Sequence, residues 1–183
     1  MGCLPALEEM NMDGDGTRWL AERAHFPNGF CATFARGLSP EELLDRLGSD
    51  PEHTAALDAM DALELCTDLE VGGDEEETIV AVLRAGSRSG WAFALEDVTL
   101  YAADQELLSR VSAGTEVASL RRDAAHGEAW FDLWRDGRPV EHRTVWEPDD
   151  LADLEDALGI DAPLLDLLSP ATELLTGFAR WDA

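Results

Sequence analysis

The order of elements predicts a single α+β domain: a mostly antiparallel sheet of about five to six strands with flanking helices. Three observations carry this reading. A capped helix start stands at Ser39-Pro40-Glu41-Glu42, period-two runs broken by short Gly-bearing turns fill positions 78 to 146, and a leucine stripe follows at Leu151, Leu154 and Leu158. No regular βαβ alternation separates them, so the sheet need not be parallel.

Residues 1–16 read as a polar leader ahead of one domain over 17–183. Thr17 to Phe26 has helical character and stops at Pro27-Asn28-Gly29. Phe30 to Ala35 reads as a strand between Gly29 and Gly37. Ser39 then caps a helix with Pro40 in its first turn, two acids at the positive end of the helix dipole, Leu43, Leu44 and Leu47 facing inward, and Gly48 at its end. Pro51 to about Leu65 predicts a second helix, with Ala56, Met60 and Leu63 on its inward stripe and Asp58, Asp61, Glu64 and Asp68 on an acidic face. Like charges at that spacing repel by a few tenths of a kcal/mol each, a cost that a surface without a task need not carry.

Beyond Gly72-Gly73 and the acids Asp74, Glu75, Glu76 and Glu77, Thr78 to Ala85 and Trp91 to Leu95 predict a hairpin joined through 86–90. A short helix over Asp104 to Val111 precedes strands at Thr115–Leu120, Glu128–Trp134 and Val140–Trp146, the last two turned by Asp136-Gly137. Phe131, Leu133 and Val145 read as core, with Trp130, Trp134 and Trp146 at one face or edge. Helical pieces over 151–158, 163–168 and 170–179 complete the chain.

Composition narrows the function classes. The 183 residues carry 39 Asp+Glu against 13 Lys+Arg, a formal charge of -26. Such a chain repels phosphate backbones and anionic lipid surfaces, so neither nucleic acid nor membrane is the expected direct partner. All thirteen basic residues are Arg. Residues 1–109 hold 23 acids and 6 Arg, 110–143 hold 6 of each, and 144–183 hold 10 acids and 1 Arg, so the strand-rich part is balanced and the acidity falls on helices and loops. Cys3, Cys31 and Cys66 form no CxxC pair, which fits a reducing, cytoplasmic setting, and Cys31 in its apolar run reads as a packed thiol.

The runs Trp19-Leu20, Phe30 to Gly48, Gly90 to Glu96 and Ser112 to Val117 together resemble a family of uncharacterised actinobacterial proteins, common in streptomycetes, catalogued as a domain of unknown function. The resemblance covers about 17–120 and implies a bacterial cytoplasmic or effector-associated setting; it brings no reaction and no catalytic residues.

Motifs of chemistry are partial. Asn11 to Glu22 follows a calcium loop at several oxygen positions, but Arg18 stands where an apolar residue belongs, and it reads as a lead-in to the first helix. Gly86-Ser87-Arg88-Ser89-Gly90 has Arg at the place of a hydrolase nucleophile. The four histidines form no metal-binding spacing; His126-Gly127-Glu128 and Glu141-His142 offer an acid/base pair only if they meet across strands. No cofactor and no metal is expected. The expected function is therefore a non-enzymatic acidic binding protein, an inhibitor of immunity or antitoxin type docking on a cationic protein, either a toxin or a nucleic-acid enzyme. Its contact residues would be Asp58, Asp61, Glu64, Asp68, Asp74, Glu75, Glu76 and Glu77, with Asp149, Asp150, Asp153 and Asp156 as a second group. Nucleic-acid mimicry toward a DNA-binding protein, or a small enzyme, are the alternatives, and the oligomeric state stays open.

Overall fold

The computed structural model describes residues 29–72, 79–97, 99–123, 128–145 and 173–180. Local signals set most of its elements. Gly29–Arg36 forms strand β1, and Pro40–Arg46 forms helix α1 behind a complete capping box: Ser39 Oγ accepts from Glu42 N at 3.2 Å and Glu42 Oε2 accepts from Ser39 N at 3.0 Å. Ile79–Arg88 (β3) and Trp91–Asp97 (β4) form the expected hairpin. Helix α3 spans Gln105–Val111 behind Asp104, whose carboxylate accepts from Leu107 N at 2.9 Å. Glu116–Asp123 (β5), Glu128–Arg135 (β6) and Arg138–Val145 (β7) follow as a meander.

Four expectations are corrected. The second helix does not begin at Pro51. Asp50 and Pro51 do start a helix, but it is a single 3-10 turn, Pro51–His53, followed by strand β2 at Ala55–Leu57; helix α2 runs over Ala59–Gly72. The segment expected as helix over 170–179 contains instead strand β8, Leu174–Arg180. With β2 and β8 the sheet has eight strands among the described residues, where about five to six were expected. The β3–β4 connection also shrinks from 86–90 to Ser89-Gly90, both at positive φ (50° and 82°), the left-handed pair a two-residue hairpin turn needs. Asp136-Gly137 turns β6 into β7 in the same way.

All strand pairs among the described residues are antiparallel, in the order β2-β8-β3-β4-β1-β5-β6-β7. Strand alternation sends Phe30, Ala32 and Phe34 of β1 to one face, where they pack with Trp91, Phe93, Leu95, Leu120 and Phe131. Cys31 and Ala35 point to the other, with Ala92, Ala94, Val117 and Trp134, and there α1 and α3 insert Leu43, Leu44, Leu47, Leu107, Leu108 and Val111. Each of these buried leucines contributes about 1.5–3 kcal/mol by leaving water. The helices are laced together: Arg46 Nη1 donates to the carbonyls of Val111 and Ala113 at 2.9 and 2.8 Å, and Arg110 Nε returns a bond to Arg46 O at 3.2 Å.

The expected core residues Phe131 and Val145 are buried, and Leu133 packs against the same cluster. Trp134 is buried on the helix side, and Trp130 on that same side is half-buried. The expectations for the leader and its calcium-like loop, the first helix, the acids at 74–77, Trp146 and the late helices at 151–158 and 163–168 lie outside the described residues.

Candidate functional site

Two polar constellations emerge among the described residues. The first is the outward face of α2. Asp58 stands immediately before this helix as its cap: its Oδ1 accepts from Met60 N and Asp61 N at 2.8 and 2.9 Å, and its carbonyl accepts from Ala62 N. Asp58 is half-buried and acts electrostatically on Arg84 of β3, opposing the lowering of that guanidinium's pKa by burial. The helix therefore starts at Ala59 and not at Pro51, about two turns later than its sequence suggests, and its inward stripe changes. Ala62 is buried, Ala59, Leu65 and Cys66 are half-buried, and Met60 and Leu63, expected inward, are 69% and 60% exposed. Small residues at 59 and 62 face inward, and the larger Met60 and Leu63 turn outward. Asp61 and Glu64 lie exposed next to them.

Of the candidate contact residues, the structure thus brings together Asp58, Asp61 and Glu64, with Asp58 committed to capping. Asp68 lies on α2 with its side chain outside the described residues, as do Asp74, Glu75, Glu76, Glu77, Asp149, Asp150, Asp153 and Asp156 altogether.

The second constellation lies on the helix-side face of the sheet and was not foreseen as a unit. Register places Thr33 opposite Ser119, Ser119 opposite Asp132, and Asp132 opposite His142 across four neighbouring strands. Asp132, 9% exposed, holds His142 Nδ1 at 2.6 Å, and Arg121 Nη2 stands 4.0 Å from its other oxygen. Arg121 also lies over Trp130, 5.1 Å from the ring centre, and donates to Ala103 O at 3.3 Å. The carboxylate partner of His142 is therefore Asp132, not Glu128, and Glu141 projects from the opposite face; His126 is outside the described residues.

Beside this row Glu96 is buried at 1% exposure. Its Oε2 accepts from Thr99 Oγ1 at 2.5 Å and its Oε1 from Ala102 N at 2.8 Å, pinning the segment between β4 and α3. Burial pushes its carboxyl above the ordinary range, against the pull of these hydrogen bonds. Cys31 lies opposite Glu96 in the register, 3.5 Å from Ser119 Oγ, its thiol pushed well up by burial and by the neighbouring carboxylate. Such a thiol packs and does not attack.

The pinned segment walls an open depression of about 650 Å³ lined by Thr99, Leu100, Tyr101, Ala103, Asp104, Gln105 and Arg121. Glu96 is not in that lining; its oxygens face the Thr99 hydroxyl and the Ala102 amide. Among the described residues no three His, Cys, Asp or Glu side chains gather to hold a metal, and no helix is long and apolar enough to cross a membrane.

Among the described residues, fold and site define an α+β protein with one eight-stranded antiparallel sheet, an acidic helix displaying apolar side chains, and a polar row on the helix-side face, buried from Thr33 to Asp132 and exposed at His142. A family model described as a family of unknown function, DUF6461, matches residues 14–173, and the chain belongs to that family. No curated protein and no solved structure matches the chain.

Proposed function

We propose that this is a non-enzymatic binding protein of a bacterial, actinobacterial cytoplasm that docks the outward face of α2 onto a cationic protein, as an inhibitor of immunity or antitoxin type. The observation that carries the reading is the exposure of Met60 and Leu63, 69% and 60%, beside the exposed acids Asp61 and Glu64. Large apolar side chains rimmed by charge are the composition of an interface centre with its polar rim. The chain's charge of -26 supplies the long-range attraction that raises association rates with an Arg/Lys-lined groove. A toxin or nucleic-acid enzyme presents such a groove, and covering it blocks its substrate.

The test is a photo-crosslinking amino acid at position 63 in the native host. The expected result is capture of one basic protein, lost in Asp61→Arg/Glu64→Arg and weakened as salt rises. Capture indifferent to both charge reversal and salt would overturn the reading.

A second reading, a small enzyme, draws on a different observation. Asp132 fixes the imidazole of His142 through Nδ1 and leaves Nε2 outward, the arrangement by which a buried carboxylate orients a general base. Partner binding retained in Asp132→Asn separates the two readings, because the α2 face shares no residue with that pair.

A further inference from the structure

The depression beside β5 has no part in the α2 face. Its volume of about 650 Å³ falls in the range of small-molecule sites, about 300–1,000 Å³. The segment from Thr99 to Gln105, with the 3-10 turn Tyr101–Ala103, forms most of its lining, and Arg121 completes it. That segment is held from behind at a cost. Glu96, a carboxylate taken out of water, grips Thr99 Oγ1 and Ala102 N, and Tyr101 Oη donates to Leu47 O at 2.9 Å.

Arg121 is positioned more firmly than it is satisfied. Its guanidinium lies over Trp130, 5.1 Å from the ring centre, and Nη1 donates to Ala103 O at 3.3 Å. Nη2 stands 4.0 Å from Asp132 Oδ2, and the other oxygen of that carboxylate is taken by His142. Nε is buried without an acceptor, while the side chain as a whole is 25% exposed. Most of the guanidinium's N–H donors are therefore unspent among the described residues. Asp104 follows Ala103 directly and is exposed. Its Oδ1 accepts from Leu107 N at 2.9 Å, which leaves Oδ2 without a partner among the described residues. Arg121 and Asp104 line the same hollow and do not pair with each other.

We propose that this hollow binds a free α-amino acid with an uncharged side chain, its carboxylate on Arg121, its ammonium on Asp104, and its side chain against Leu100 and Tyr101. A planar guanidinium held by stacking matches a carboxylate, and a carboxylate with a spare oxygen matches an ammonium, so the two together call for a ligand that carries both charges. A dianion such as phosphate would meet Asp104 and Asp132 beside the arginine. A simple amine would meet the arginine itself. Because a zwitterion has no net charge, the charge of the rest of the chain does not decide its binding. The site shares no residue with the α2 face and stands or falls apart from the docking reading.

The experiment is isothermal titration calorimetry of the full chain against each of the common L-amino acids. Expected is saturable binding of at least one with an uncharged side chain. The tightest of these is then compared with its analogues lacking the ammonium or the carboxylate, which for leucine are isocaproate and isoamylamine. Each analogue should bind at least about tenfold more weakly, and Arg121→Gln and Asp104→Asn should each weaken the amino acid by about tenfold or more. Asn keeps an oxygen for Leu107 N, so Asp104→Asn retains the cap of α3 and decides the question even if Arg121→Gln fails to fold. Glu106→Gln removes an exposed acid from the first turn of α3, outside the lining, and should leave binding unchanged. Absence of saturable binding, tightest binding of an amino acid with a charged side chain, an analogue that binds as well as the parent ligand, full affinity in Asp104→Asn, or an equal loss in Glu106→Gln overturns the proposal.

Discussion

Glu96 offers the sharpest physical test of how the helix-side face is built. It is a carboxylate at 1% exposure whose two oxygens are used by Thr99 Oγ1 and Ala102 N. Replacing it by Ala orphans the amide of Ala102, itself buried, while half-buried Thr99 can turn to water. The lost bond and the emptied space together cost about 2–4 kcal/mol. Glu96→Gln keeps an oxygen for Ala102 N, and the Thr99 hydroxyl can reverse to accept from the new amide, so about 1 kcal/mol or less is expected at neutral pH. The two variants differ more in their pH dependence. Burial raises the folded-state pKa of Glu96 above its unfolded value, so folding takes up a proton there. Its contribution is fully present below the unfolded value and is lost as pH rises through the folded one. A protein of charge -26 also gains stability on mild acidification simply because self-repulsion falls. The difference between the parent and Glu96→Gln cancels that general effect. Urea unfolding of both proteins between about pH 4 and pH 8 should show the parent's advantage shrinking toward neutral pH. Parallel stability profiles for the two proteins would refute the assignment of a proton-linked buried carboxylate.

Other substitutions examine neighbouring parts of the structure. Ser39→Ala removes one half of the capping box of α1 and should lower stability by about 0.5–2 kcal/mol, read from the urea midpoint at unchanged slope. Gly86 lies under Phe93, and a Cβ there would come within 2.6 Å of the ring, so Gly86→Ala should cost ~1–3 kcal/mol. A second change, Phe93→Leu, should recover part of that loss in a double-mutant cycle, because the two residues are directly opposed. Met60→Ser/Leu63→Ser should alter thermal stability by no more than about 0.5 kcal/mol, since both side chains are largely exposed, while abolishing capture of the α2 partner.

How much of this was readable depended on whether the signal was local. The capping box at Ser39, the turn residues Asp136-Gly137, and the alternation of β5 to β7 are decided by neighbours in sequence, and those elements lie where expected. Strand β8 is different. Leu174, Thr176, Gly177, Phe178 and Ala179 are all buried, so it shows no alternation between wet and dry positions, and the strands it joins lie far back in the chain. Gly177 was the available clue: a side chain there would collide with Ser49. For α2, Asp50-Pro51 advertised a helix that ended after one turn, and the true cap, Asp58, looked like one acid among many. The same abundance hid Glu96 and Asp132, whose roles depend on burial and register and not on residue type.

The place of β8 has a consequence for biogenesis. It is the last strand in the described chain to be synthesised, yet it sits between β2 and β3 and is the only strand that links β2 to the rest. Until residues 174–180 clear the ribosome, β3 and β2 both lack the strand that lies between them. Closure of the sheet thus waits for β8, and a nascent chain stalled before Leu174 presents the ribosome-associated chaperones with a half-built sheet.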